Sequence, residues 1–304
     1  MGSSKRIHQM TIPQWERAFP DDDACAAYLT HHRWPVGIRC PRCGNDAVSE
    51  HGTMSWHWQC SRCSPTATSY RFSVLVGTIF ENTNVGLRTW FRVIHMMLTS
   101  KKGVSAHQIY RTMGFGSYRT AWHMCHRVRA GLADRNFRKL MGIVEVDETY
   151  IGGKDKNRHY DKRSTSPGNG GKGSDKAIVI GAASRKGNVV ARVIENTRTE
   201  TFEDFVREVV STDVSLLNTD EHSAYRRLSP DYPHHAVRHQ AKQYVVGAIH
   251  TNTIEGFWSI MKRGIMGTFH KVSRKYLPLY VAEFQFRYNN RDNADIFGTA
   301  VKGL

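Results

Sequence analysis

The sequence predicts an α/β protein in which a cysteine-bearing module and a helical segment precede a layered sheet domain. Three observations carry that expectation. Two CxxC pairs lie within residues 1–80, among aromatic and turn-forming residues. Residues 81–135 repeat their apolar positions at helical spacing. Residues 142–295 alternate strand-like runs of period two with helix-like runs of period near 3.6.

The cysteines come first. Cys40 and Cys43 are followed, after 16 intervening residues, by Cys60 and Cys63. Two such knuckles can bring four thiolates around one tetrahedral ion, and the spacing suits a zinc ribbon holding one structural Zn²⁺. Four Cys ligands leave no open position for a substrate, so the ion would hold the fold. Gly44 serves the tight turn of the first knuckle, and Met54–Gln59 alternates as a strand between the two. A redox dithiol is the competing reading, against which the matched pairs argue. Cys25 and Cys125 stand alone in apolar surroundings and read as ordinary buried thiols. Arg39, Arg42 and Arg62 flank the ligands and could reach phosphates, although each taken alone reads as a solvated charge.

The helical segment starts with Leu87–Leu98, whose apolar face is large. Ser105 caps a short helix reaching Arg111, Gly114–Ser117 makes a turn, and a basic helix runs from Tyr118 to Arg129. Short helix, glycine turn and basic helix is the order of a helix-turn-helix, with Ser117, Tyr118, Arg119 and His123 near the start of the recognition helix. A helical linker is the alternative. Trp90, Phe91 and Trp122 read as core.

The sheet domain opens on Ile143–Ile151, a half-buried strand in which Glu145 and Asp147 share a face. Strands follow at Ala177–Ala183 and Asn188–Ile194, then a helix over Thr201–Val210, then a buried strand ending at Asp220. A closing helix starts near Asn252, with Ile254, Phe257, Trp258 and Met261 toward the core and Glu255 and Lys262 on one other face. Together these elements make a three-layer α/β domain. Residues 152–176 interrupt it with a Gly- and Lys-rich stretch that has nothing apolar to bury, expected as a mobile basic loop. Lys154, Lys156 and Arg158 there are candidates for phosphate contact, with a solvated excursion the equal alternative.

Charge narrows the partner. The 304 residues carry 43 Lys and Arg against 27 Asp and Glu, a net +16 that favours a polyanion through counterion release. No apolar run is long enough to span a membrane, and the polar, basic Met1–Gln9 reads as no secretory signal. Six cysteines in a chain this long exclude a disulfide scaffold.

Asp147, Asp220 and Glu255, with 34 residues between the last two and Lys262 seven beyond, resemble the DDE triad of a transposase. The text around them, from Val144 to Gly153, Thr219 to Tyr225, Ile254 to Gly264 and Gly267 to Ser273, resembles the ISXO2-like insertion-sequence transposases. The resemblance covers nearly the whole chain, because that family also carries a zinc ribbon in front. It implies a ribonuclease-H-like catalytic domain preceded by a zinc ribbon and a helix-turn-helix domain. It also implies two Mg²⁺ (or Mn²⁺) ions, with Asp147 bridging both, Asp220 on one and Glu255 on the other, and Lys262 on a phosphate. Arg263 is a further DNA contact expected, and Asn252, His222 and His270 are expected on DNA or beside the metal ligands, with a satisfied surface or capping role the alternative for each. Glu148 and Glu221 neighbour the triad and are expected to face away, while Glu283 keeps the third ligand open. The implied partners are duplex DNA, as element ends and target, and further copies of the chain in a homodimer or larger synaptic complex. The implied location is the cytoplasm of a bacterium, at the nucleoid. Two other functions fit parts of the sequence: a zinc-ribbon regulator with an inactive α/β domain, and another ribonuclease-H-like nuclease.

Overall fold

The computed structural model describes residues 11–63, 70–134, 137–153, 176–220, 223–228, 230–236 and 250–303. Lys154, Lys156, Arg158, Glu221 and His222 lie outside them, as does most of the stretch 152–176. The chain divides into two compact units, Met1–Leu132 with Asp292–Leu304, and Ala133–Arg291. Among the described residues no helix is long and apolar enough to cross a membrane.

The first unit runs α1 (Ile12–Ala18), α2 (Asp22–Arg33), β1 (Val48–Glu50), β2 (His57–Cys60), β3 (Tyr70–Ser73), α3 (Leu87–Thr99), α4 (Ala106–Met113) and α5 (Tyr118–Gly131). The three strands form an antiparallel sheet in the order β1-β2-β3. The strand expected over 54–59 starts only at His57, because residues 52–56 are spent on turns. Trp56 ends that turn at φ 62°, and its indole N–H donates to Asp23 Oδ1 at 2.9 Å. Asp21 caps α2 by accepting from the Ala24 N–H at 2.8 Å.

Aromatic packing holds the helices. Trp15, Phe19, Phe91 and Phe297 are buried, with ring centroids of successive members 5.2–5.3 Å apart. Phe297 belongs to a C-terminal helix, Ile296–Gly303, that has no counterpart in the sequence-based expectation. The helix α4 begins at Ser105, whose hydroxyl accepts from the Gln108 N–H, and ends at Gly114, left-handed at φ 65°. Ser117 then caps α5, which buries Ala121, Met124, Cys125 and Val128 and leaves Arg119 and His123 exposed.

The second unit runs β4 (Ile143–Ile151), β5 (Ala177–Ser184), β6 (Val189–Ile194), α6 (Thr199–Val209), β7 (Leu216–Thr219), a 3-10 turn (Ser223–Leu228), β8 (His234–Ala236), α7 (Asn252–Gly267) and α8 (Leu277–Asn289). The strands make one mixed sheet in the order β6-β5-β4-β7-β8. The first three are antiparallel neighbours, and β7 and β8 continue parallel to β4. Helix α6 covers one face, where Val144, Val146, Ile180 and Ala182 meet Phe202, Val206 and Val209. Helices α7 and α8 cover the other, where Val179, Ala183 and Val189 meet Ile254, Phe257, Trp258 and Phe284. Burial on both faces explains why β5 reads as an unbroken apolar run. The result is the three-layer α/β domain that the sequence predicts.

Candidate catalytic site and zinc ribbon

Strand register brings the first two acids together. Val144 pairs with Leu217 and Glu145 with Asn218, so the parallel register carried two residues on sets Asp147 beside Asp220. The strand β7 stops at Thr219, so Asp220 lies just past its end. Carboxylate oxygens of Asp147, Glu148 and Asp220 all lie within 4.8 Å of one another. Glu148 therefore corrects the expectation from strand alternation: it turns in toward the cluster. On the β7 side the strand has already ended, while β5 still pairs Ile180 with Glu148, and the buried Tyr225 hydroxyl holds the carboxylate by donating to Oε2 at 3.2 Å.

Glu255 stands on the first turn of α7, exposed, where the Thr251 hydroxyl donates to it at 2.7 Å. It is outside the group of three, yet near enough for its charge to raise the Asp147 pKa. Glu283 is elsewhere. It is fully buried on α8 with Arg287 Nη2 3.4 Å away, and it does not belong to the group formed by Asp147, Glu148 and Asp220.

Burial and mutual repulsion set the electrostatics. Burial first, then the Asp220 charge, push Asp147 from its ordinary 3.8 up to about 6. The same two causes push Glu148 from 4.5 up to about 7. Hard cations prefer such oxygen donors, and a bound cation relieves the repulsion, so this donor set fits divalent metal. Because both values are raised, the ionised acids impose a stability cost that is absent below about pH 4, grows as pH rises from there and is complete above about 6 to 7. We expect Mg²⁺ to raise the Tm near pH 8 and to leave it nearly unchanged near pH 4, where protons occupy the acids. Thermal melts with and without EDTA at the two pH values check this.

The helix that carries Glu255 is anchored by an acid from β4. Glu145 is completely buried, and its Oε2 accepts from the Thr253 and Ile254 N–H groups at 2.7 and 3.1 Å. Its Oε1 accepts from Thr253 Oγ1 at 3.0 Å and from Arg185 Nε at 2.7 Å, with His250 Nδ1 3.3 Å away. A carboxylate at the N-terminal N–H groups of a helix is favourable, and Thr251 itself supplies no side-chain cap. Glu145→Ala is expected to cost about 3–5 kcal/mol, since it strands Arg185 and orphans two helix N–H groups. Urea unfolding of the full chain measures this, and a loss under about 1 kcal/mol contradicts it.

Asp147 is aimed by the same helix. The Trp258 indole N–H donates to its Oδ2 at 3.1 Å. Gly181, paired directly across from Asp147 on β5, makes room for that indole, because a Cβ there would lie 2.7 Å from the ring. Lys262 lies on the exposed side of α7 two turns beyond Glu255, beside Arg263, and Asn252 is exposed at the helix start. His270 follows, exposed, at φ 57°.

In the first unit the four cysteines converge. The Cys40 and Cys63 sulfurs are 3.8 Å apart, and those of Cys43 and Cys60 are 3.7 Å apart. Four thiolates at about 2.3 Å from one zinc would stand roughly 3.8 Å from each other, so the spacing fits tetrahedral Zn²⁺. Burial pushes the Cys60 thiol up, but the backbone amides of Cys63 and Arg62 outweigh it and bring Cys60 down to about 6. Cys63 moves the other way, up to about 12, through its contact with Cys43 and burial, so without an ion the cluster shares its protons among the four sulfurs. Arg42 and Arg62 are exposed beside the knuckles, and the Arg42 guanidinium stacks 3.8 Å over the Tyr70 ring. Ser117 spends its hydroxyl on the α5 N-terminus, while Tyr118 is 47% exposed.

Comparison with known proteins agrees with this chemistry. The family model described as the ISXO2-like transposase domain matches residues 139–289, which hold Asp147, Asp220 and Glu255. The model described as the transposase zinc-ribbon domain matches residues 20–66, which hold the four cysteines. A protein of Halobacterium salinarum, named as an uncharacterized protein in transposable element ISH50, is 28% identical over 280 residues, 89% of this chain and 92% of its own. Among solved structures, the simian T-cell lymphotropic virus intasome with PP2A regulatory subunit B56 gamma matches with TM-score 0.31 at 12% identity, over 60% of this chain and 68% of that one. The Mos1 strand transfer complex matches with TM-score 0.21 at 10% identity, over 64% and 77%. Scores this low carry no weight for fold or function. The two family models do: they cover the acids and the cysteines in the order in which the chain presents them, and the chain belongs to the ISXO2-like DDE transposases with an N-terminal zinc ribbon, enzymes of metal-dependent DNA cleavage and transfer.

Proposed function

We propose that this transposase binds the terminal inverted repeats of its insertion sequence through the zinc ribbon and a helix-turn-helix formed by α4 and α5. On this reading it cuts and joins DNA at Asp147, Asp220 and Glu255. The observation that carries the catalytic assignment is the convergence of the Asp147 and Asp220 carboxylates, with Glu148, within 4.8 Å in a desolvated setting. When bound, two divalent ions, Mg²⁺ or Mn²⁺, supply the charge that activates an attacking oxygen and steadies a leaving one.

The residues divide the remaining work. Asp147, Asp220 and Glu255 would hold the ions, with Glu148 a fourth carboxylate beside the first two. Trp258 fixes the Asp147 carboxylate, and Glu145 fixes the helix that brings Glu255 and Lys262. Lys262 is a point charge for a phosphate next to the cut. A water oxygen attacks phosphorus at the element end, breaks the bond to the 3′ oxygen and leaves a 3′-hydroxyl. That hydroxyl then attacks a target phosphodiester, forming a new P–O bond and expelling the target 3′ oxygen. No bond to the protein forms at either step.

Upstream, Tyr118, Arg119 and His123 read duplex DNA on this proposal and Arg42 and Arg62 contact phosphates, which is supported by the exposure of all five. Arg263, Asn252 and His270 serve the DNA at the cutting site. Joining two ends requires both to be held at once, so a homodimer or larger assembly on DNA is the working form. A gel shift paired with a nicking assay on the element's own ends tests this reading. Binding followed by Mg²⁺-dependent nicking with a free 3′-hydroxyl supports it. Binding without nicking in Mg²⁺ or Mn²⁺ would make the chain a DNA-bound regulator.

A further inference from the structure

The second unit holds a cavity beside the cutting site that shares Lys262 and His270 with it and none of its acids. It is about 520 Å³ in volume and opens between the end of β4 and the stretch that leaves α7. That volume falls in the range of about 300–1,000 Å³ typical of small-molecule sites. Ile151, Ile265 and Leu277, all buried, form an apolar floor, and Tyr150 offers a ring beside them. Around the mouth stand Lys262, Lys271 and Arg274, each exposed, and no carboxylate lines it among the described residues. His270, also on the wall, keeps a left-handed φ of 57°, a conformation that non-glycine residues adopt at a cost and that concentrates at ligand sites.

The cavity is close to the acids along two elements. Tyr150 is three residues past Asp147 on β4, about 10 Å at strand rise. Lys262 is seven residues past Glu255 on α7, again about 10 Å at helical rise. At about 3.4 Å per nucleotide along one strand, the cavity is some three nucleotides from a phosphate held at the acids. A site for phosphate alone needs the cationic mouth and not the apolar depth. A paired and stacked base cannot reach that depth. An unstacked one can, with its ring on the floor and its phosphates at the mouth.

We propose that this cavity takes a single nucleotide extruded from the duplex within about three positions of the scissile phosphate. Its base rests on Tyr150, Ile151 and Ile265, and Lys262, Lys271 and Arg274 hold the flanking phosphates. The inference rests on the transposase reading above and names a DNA subsite within it.

The test measures binding alone, by fluorescence anisotropy, with full-length protein, EDTA and duplexes carrying the element's own end. Each base pair within three positions of the cut is mismatched in turn. A base that is already unpaired need not be opened by the protein, so one position should bind about tenfold more tightly than the matched duplex. Met266→Glu, a change at an exposed residue on the cavity wall, should reduce that gain to near onefold. A Lys271→Ala, Arg274→Ala double variant supplies a second check and should reduce it likewise. The proposal is overturned if no position gains, or if the gain survives in both variants while matched-end binding is retained. Failure of the wild-type protein to bind its matched ends would overturn the transposase reading together with it, and the two failures are thereby distinguishable.

Discussion

Asp147→Asn should abolish DNA cleavage and joining while making the metal-free protein more stable. The loss of activity follows from the position of Asp147 at the centre of the acid cluster, where its oxygens face both Asp220 and Glu148. Removing one preorganised source of transition-state charge stabilisation typically costs about 10²–10³ in rate, and losing the acid at the centre of the cluster should cost at least that. The gain in stability follows from the same placement. An ionised Asp147 is desolvated and repelled by its neighbours, which is why its pKa stands near 6. Asn keeps an oxygen for the Trp258 N–H and carries no charge. In EDTA the variant should match the wild type near pH 4 and melt a few degrees higher above about pH 7. A variant inactive and less stable at every pH would mean that Asp147 serves the fold. Binding of end DNA should remain within about threefold in either case, because the acids do not supply the counterion release that drives binding.

Cys40→Ser should produce the opposite pattern. Structural zinc supplies about 10–16 kcal/mol to small modules of this kind, and the strands β1, β2 and β3 are too short to hold together without it. The variant should lose its zinc and bind end DNA about tenfold or more weakly. Hydrogen exchange should then show lost protection in residues 40–63 and unchanged protection in β4 and β5. Intact protection of the ribbon, or end binding equal to wild type, would separate the cysteines from DNA recognition.

Sequence patterning made much of this visible, for a physical reason. The CxxC spacing, the strand at Ile143–Ile151 and the helical face of α7 are local signals that survive in the structure, although β4 is buried on both faces where its alternation predicts a half-buried strand. The convergence of Asp147 and Asp220 comes from the parallel register of β4 with β7, in which Asp147 lies mid-strand and Asp220 just past the end of β7. What the sequence hid is non-local. Glu145 looks like a partner for Asp147, but its contacts with Arg185 and with Thr253 join positions 40 and 108 residues away. Alternation predicted that Glu148 faces away from the cluster. It cannot say where β7 ends or that Tyr225, 77 residues on, donates to the Glu148 carboxylate. The same limit applies to Glu283, whose burial on α8 is set by the sheet it packs against. The C-terminal helix is fixed by Phe297 against Phe91, a contact between residues about two hundred positions apart.

The most direct test of the central claim is a joining assay. Purified wild-type protein and Asp147→Asn are each incubated with Mg²⁺, labelled duplexes bearing the element's ends and a target plasmid. The account predicts labelled ends covalently joined to the plasmid for the wild type, dependent on the metal, and none for the variant. Joined products at equal yield from the variant would contradict the assignment of the acids, and cleavage without joining from the wild type would leave a nuclease in place of a transposase.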